Sequence, residues 1–80
     1  MPRPEERFEI WHKTFPTQIQ MASDIDWKHL ATRYELTGAG ILNICHYCAL
    51  ELLADNSNIL DLKRLEAAIM REFIKEGKIL

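Results

Sequence analysis

Leu36-Thr37-Gly38-Ala39-Gly40-Ile41-Leu42-Asn43 opens the longest uninterrupted apolar-periodic segment of this 80-residue chain, and its reading decides the fold. Thr37 is a good helix cap because its hydroxyl can accept a hydrogen bond from a backbone N–H of the first turn. Gly38 and Gly40 follow at once. Glycine lowers helix stability, so a pair at a helix start suggests that something comes close to the backbone there. Another helix would satisfy that reading. So would a ligand, and because helix starts present free N–H groups and partial positive charge, a phosphate-bearing one is a natural candidate.

Outward from this stretch, Ile41, Cys45, Cys48, Ala49 and Leu52 form one stripe of the third helix, and Leu42, Ile44 and Leu53 widen it past half the circumference. Such a helix is expected at the centre, touched from several sides. Asn56-Ser57-Asn58 ends it with residues that tolerate turn geometry, and Ile59-Leu60 makes a brief extended link. Asp61 caps a fourth helix in which Leu62, Leu65, Ala68, Ile69 and Phe73 share one face. Lys63, Arg64, Glu66, Arg71 and Lys75 share the other, and Gly77 is the expected C-terminal cap.

Upstream, Pro4 with Glu5 and Glu6 opens a first helix, read as Pro4 to Phe15, whose apolar members are Phe8, Ile10, Trp11 and Phe15. Thr17 to Asp24 reads as a loop with room for a short extended piece. Asp26 caps a short second helix carrying Trp27, Leu30, Ala31 and Tyr34 at the spacing of a single buried face. The expectation is one all-α domain, a four-helix bundle with short connections and at most one very short extended pairing.

Composition narrows the function classes. A net charge of -2 argues against general nucleic-acid affinity, which needs a clustered basic surface. No apolar run approaches the roughly 20 residues that span a membrane, and the N-terminus is not a signal peptide, so the expected location is cytoplasmic, with both cysteines reduced. The second and third helices also resemble a helix-turn-helix. Between Tyr34 and Leu62, however, there is no Lys or Arg, whereas Glu35, Glu51, Asp55 and Asp61 are acidic, so such a recognition helix would be repelled by DNA.

Cys45-His46-Tyr47-Cys48 has the form of a zinc or thiol-redox motif. A structural zinc site needs four ligands, and a redox pair is expected at a helix N-terminus. This single pair sits at least two turns into the apolar stripe and reads as core packing. Asp24 with Asp26 and Glu5 with Glu6 lie at helix starts, where caps and dipole partners are expected. Arg3, Arg7 and Lys13 could meet a phosphate or a neighbouring acid, though a solvated face is the plainer reading. No catalytic constellation, metal set or Walker loop stands out.

In order and spacing, these residues resemble the C-terminal helical lid subdomain of the AAA (AAA+) ATPases. Pro4 with Arg7 to Trp11 is similar to the first lid helix, and Asp26, Leu30 and Ala31 to the second. Thr37-Gly38-Ala39 matches the Ser/Thr-Gly-Ala at the start of the third, which Ile41, Asn43, Cys45, Ala49 and Glu51 continue. Leu65, Ala68 and Ile69 match the last. Cys48 falls where the family usually has alanine, Gly40 replaces an acid, and Thr14 stands where many members have a histidine.

The resemblance implies that Gly38 and Ala39 lie against ATP, with Ile10 and Thr14 lining the adenine and ribose side. No arginine stands at the sensor-2 place, so contact with the γ-phosphate is not implied. Mg and the catalytic motifs would belong to the large α/β subdomain, which with neighbouring subunits of a ring is the implied partner. The chain then reads as an excised lid that does not hydrolyse ATP alone and self-associates through apolar residues of the first helix and the start of the third. A free-standing helical adaptor for a protein partner is the alternative.

Overall fold

The computed structural model describes residues 1–78. Along these residues run helix α1 (Pro4–Thr14), strand β1 (Gln20–Met21), helix α2 (Trp27–Arg33), helix α3 (Gly38–Ala54), strand β2 (Ile59–Leu60) and helix α4 (Leu62–Lys75). The architecture is four-helical. α1 packs on α2 and α3, α3 packs on α4, and β2 lies against α3. No described helix is long and apolar enough to cross a membrane.

Local chemistry explains the helix ends. Asp26 accepts from the His29 N–H at 3.1 Å and Asp61 from the Arg64 N–H at 2.9 Å, each satisfying a donor that the first turn leaves unpaired. Glu6 reaches back to accept from the Arg3 N–H at 2.9 Å, and this bond holds its carboxyl below the usual carboxylate range. α1 ends at Thr14, one residue before the expected Phe15, because Phe15 has left helical geometry ahead of Pro16.

The C-termini of α3 and α4 share one device. Gly77 has φ +75°, and the Gly77 and Lys78 N–H groups close onto the carbonyls of Ile74 and Phe73. Asn56 has φ +54°, and the Asn56 and Ser57 N–H groups close onto Leu53 and Leu52 in the same way. Both are left-handed caps that use up otherwise orphaned carbonyls.

The stretch read as a loop from Thr17 to Asp24 contains β1, which pairs in parallel with β2, Gln20 opposite Ile59 and Met21 opposite Leu60. Parallel pairing fits two strands separated by two helices rather than by a tight turn. Asp24 crosses the same gap. Its carboxylate accepts from the Leu62 N–H at 3.2 Å, so it caps α4 and not the nearby α2.

The core runs through Trp11, Leu36, Ile41, Ile44, Cys45, Cys48, Leu52, Leu60, Leu65 and Ile69, all buried. Leu36 comes from the α2–α3 connection and Leu60 from β2, so residues outside the helices help to seal so small a bundle. α3 is touched from several sides, by α1, α4 and β2, but its stripe is narrower than expected: Leu42 and Leu53 are exposed, as is Leu50. Arg7 also departs from expectation. It is buried rather than solvated, with Nε donating to the Ala31 carbonyl at 2.7 Å and Nη1 to the Pro2 carbonyl at 2.6 Å.

Candidate functional site

The start of α3 is built around Thr37. Its Oγ1 accepts from the Gly40 N–H at 3.0 Å, and its carbonyl accepts from the Ile41 N–H at 3.0 Å. The N–H groups of Gly38 and Ala39 belong to the first turn, which has no intrahelical acceptors for them. The first turn of α3 carries no acid, whereas that of α1 carries Glu5 and Glu6. The positive end of the α3 dipole therefore has no compensating acid in its own turn, and the carboxylate that stands near it comes from the end of α4, where Glu76 Oε2 would lie 3.8 Å from a Cβ on Gly40.

The two glycines differ in cause. A Cβ on Gly40 would stand 3.3 Å from Thr37 Oγ1, crowding the cap by a few tenths of an ångström, and in ordinary contact with Leu36 Cδ2 at 3.6 Å. The cap of its own helix gives that position a local reason for glycine. A Cβ on Gly38 would meet only Ile10 Cδ1, at an ordinary 3.9 Å, and the residue has no left-handed backbone. Nothing within the described residues requires glycine at position 38.

Ile10 and Gly38 are thus brought together across α1 and α3. Thr14 lies one turn beyond Ile10, half-buried, and its hydroxyl donates to the Ile10 carbonyl at 2.6 Å. That bond leaves the oxygen's lone pairs as its remaining polar capacity. Ala39 is exposed beside Gly38.

The cations named from sequence are engaged elsewhere. Arg3 lies 3.6 Å from Glu5 and 3.4 Å from Glu6, and Lys13 lies 3.8 Å from Glu9. Arg7 is occupied by two carbonyls, one of them in the last turn of α2, where a cation complements the helix dipole. Its burial was invisible in the sequence because the receiving carbonyl lies 24 residues away.

Cys45 and Cys48 are both fully buried and unbonded to each other. Burial pushes both thiols up, that of Cys48 to about 12, with Glu51 adding to the effect there. A thiol held protonated is neither a nucleophile nor a metal ligand, which agrees with their role as small core residues.

Sequence reasoning missed a second recess. Trp11, Phe15 and Trp27, with Ile19 and Met21, line a cavity of about 180 Å³ between the end of α1 and the start of α2. The signal was present as a dense run of aromatic residues, but helical periodicity alone assigned them to the core. No family model, characterised protein or solved structure matches the chain.

Proposed function

We propose that this chain is the helical lid of an AAA+ ATPase, contributing the start of α3 and the facing side of α1 to the adenine and ribose end of an ATP site. The observation that carries the proposal is Gly38. It is a glycine at a helix N-terminus that its own chain does not need, beside two outward backbone donors and against Ile10. Close approach by a ligand backed by another domain gives that residue a reason. The order of the four helices and the Thr37-Gly38-Ala39 start support the same reading.

On this proposal the chain is half of a site. The large α/β subdomain supplies Mg and the catalytic groups, and closure of the lid over the base couples nucleotide state to the geometry of a ring that remodels protein substrates. The coding sequence in frame ahead of Met1 tests it directly. A Walker A loop there supports the lid, and a start codon with no such domain overturns it in favour of a free-standing adaptor. The exposed Leu42, Leu50 and Leu53 of α3 are the observation that favours this second reading.

A variant separates the site from the fold. Gly38→Ala is expected to leave the stability of the chain unchanged or higher by about 0.5 kcal/mol, since alanine is the better helix former. In a polypeptide that includes the large subdomain, it is expected to weaken ATP binding several-fold by calorimetry. Unchanged ATP affinity in that polypeptide would count against Gly38 as a contact. The 80-residue chain alone is expected to give no calorimetric signal with ATP, and micromolar affinity would contradict the half-site.

A further inference from the structure

We propose a peptide-docking site at the opposite end of α1 from Pro4: an extended segment adds to β1 as a third strand and places one apolar side chain in the cavity between Trp11, Phe15 and Trp27. The inference does not depend on the lid reading, and its cavity is lined by none of the four residues placed against the nucleotide.

The first observation is the cavity. It holds about 180 Å³ and is lined by the rings of Trp11, His12, Phe15 and Trp27, with Ile19 and Met21 along the strand side. Apolar cavities of ~150 Å³ take up a molecule the size of benzene, so the space suits one leucine or phenylalanine side chain. The rings hold one another in place. Trp11 and Trp27 lie 5.8 Å apart, Phe15 and Trp27 6.1 Å apart and edge-on, and His12 and Trp27 5.6 Å apart and edge-on. Such mutual packing keeps the walls preorganised and limits the ordering that binding requires.

The second observation is the strand beside it. The Gln20 N–H donates to the Asn58 carbonyl at 2.7 Å and the Ala22 N–H to the Leu60 carbonyl at 2.8 Å. Backbone groups alternate along a strand, so those of Met21 face away from β2. Both residues of β1 are exposed, and the described sheet contains only β1 and β2. An unpaired strand edge is a template for an incoming extended chain, whose alternate side chains then meet the pocket on one face. Ile19 and Met21, two residues apart, both reach that cavity.

A third observation concerns the cavity wall. Trp11 is fully buried, and among the described residues its indole nitrogen is the buried side-chain N or O without a hydrogen-bond partner. Buried indole N–H groups normally find an acceptor, and the described residues offer none.

Charge selects the peptide further. From Ile10 to Asn58 the acids are unevenly placed: the segment Ile10–Ser23, which supplies most of the cavity, contains His12 and Lys13 and no Asp or Glu. With Lys13 held 3.8 Å from Glu9, this is a locally neutral strip in a chain of net charge -2. It favours an apolar side chain flanked by uncharged residues over one flanked by charged ones.

The test uses the 80-residue chain and a displayed library of random heptapeptides, followed by synthesis of the enriched sequences. Both tryptophans of the chain line the cavity, so their fluorescence reports occupancy without a label. Enriched peptides are expected to carry a central leucine or aromatic residue in an alternating pattern and to shift tryptophan emission saturably. Met21→Pro removes the outward N–H without touching the β1–β2 hydrogen bonds and is expected to weaken binding at least tenfold, whereas Met21→Leu keeps it within about twofold.

Methylating the peptide nitrogen that faces Met21 is expected to reproduce the loss on the unaltered chain. This arm stands even if Met21→Pro perturbs the fold by circular dichroism. Failure to enrich any sequence would overturn the proposal. So would peptides that bind Met21→Pro and the N-methylated form equally well, or a cavity that takes up free indole but no peptide.

Discussion

α3 and α4 lie side by side and bury stripes of similar depth, yet their outer surfaces are opposites. α4 turns Lys63, Glu66, Arg71 and Lys75 outward around Met70 and Ile74. α3 shows Leu42, His46, Leu50 and Leu53, and its one charged residue, Glu51, is drawn to Arg64 of α4 at 3.5 Å. Their seam is tied by Asn43 donating to Glu72 at 3.3 Å and by the Arg71 guanidinium 4.2 Å over the Tyr47 ring. Folding alone accounts for α4. It accounts for only half of α3, because exposed leucines add nothing to the stability of the chain by itself.

The largest effect should not distinguish the two helices. Ile44→Ala in α3 and Ile69→Ala in α4 each remove a buried side chain and are expected to cost about 2–5 kcal/mol in urea unfolding. A loss below ~1 kcal/mol at either position would break the symmetry of their buried stripes.

The next effect belongs to α3 alone, since α4 has no cysteine. Burial raises the Cys45 and Cys48 thiols above their unfolded value. Their contribution is therefore intact below about pH 8.5, where even the unfolded chain keeps both protons, and it falls as pH rises beyond that point. The expected slope is up to about 1.4 kcal/mol per pH unit for each thiol, measured by unfolding between pH 8 and 10. The double variant Cys45→Ala with Cys48→Ala should flatten it. An unchanged slope would show that other groups dominate alkaline unfolding.

Caps should again treat the helices alike. Thr37→Ala and Asp61→Ala each orphan a first-turn N–H and are expected to cost about 1 kcal/mol by thermal unfolding. The smallest effect separates them most clearly. Leu50→Glu is expected to change the stability of the monomer by less than about 0.5 kcal/mol while lowering self-association in light scattering. A loss above ~2 kcal/mol would show that the outer face of α3 supports the fold after all.

Much of this architecture is carried by local chemistry and was legible. The caps Asp26, Thr37 and Asp61, the turn residues Asn56 and Gly77 and the amphipathic period of α4 each act within a few residues, where a sequence displays them. What escaped was long-range. The β1–β2 pairing joins residues about 39 apart, Asp24 caps a helix 38 residues away, and Arg7 seeks a carbonyl 24 residues on. Period alone likewise could not say which apolar faces would find a neighbour. It placed Leu42 and Leu53 with the core, whereas both are exposed. At the start of α3, glycine chemistry could not separate Gly40, where a Cβ would crowd the Thr37 hydroxyl, from Gly38, where it would meet only an ordinary contact.

Arg7 has a mechanical meaning as well. Its guanidinium joins the Pro2 carbonyl, ahead of α1, to the Ala31 carbonyl of α2 through two short bonds. A pull on the chain at Met1 is therefore shared at once between two helices instead of peeling α1 turn by turn. The residues ahead of α1 are in this way tied to α2 as well as to the helix they lead into.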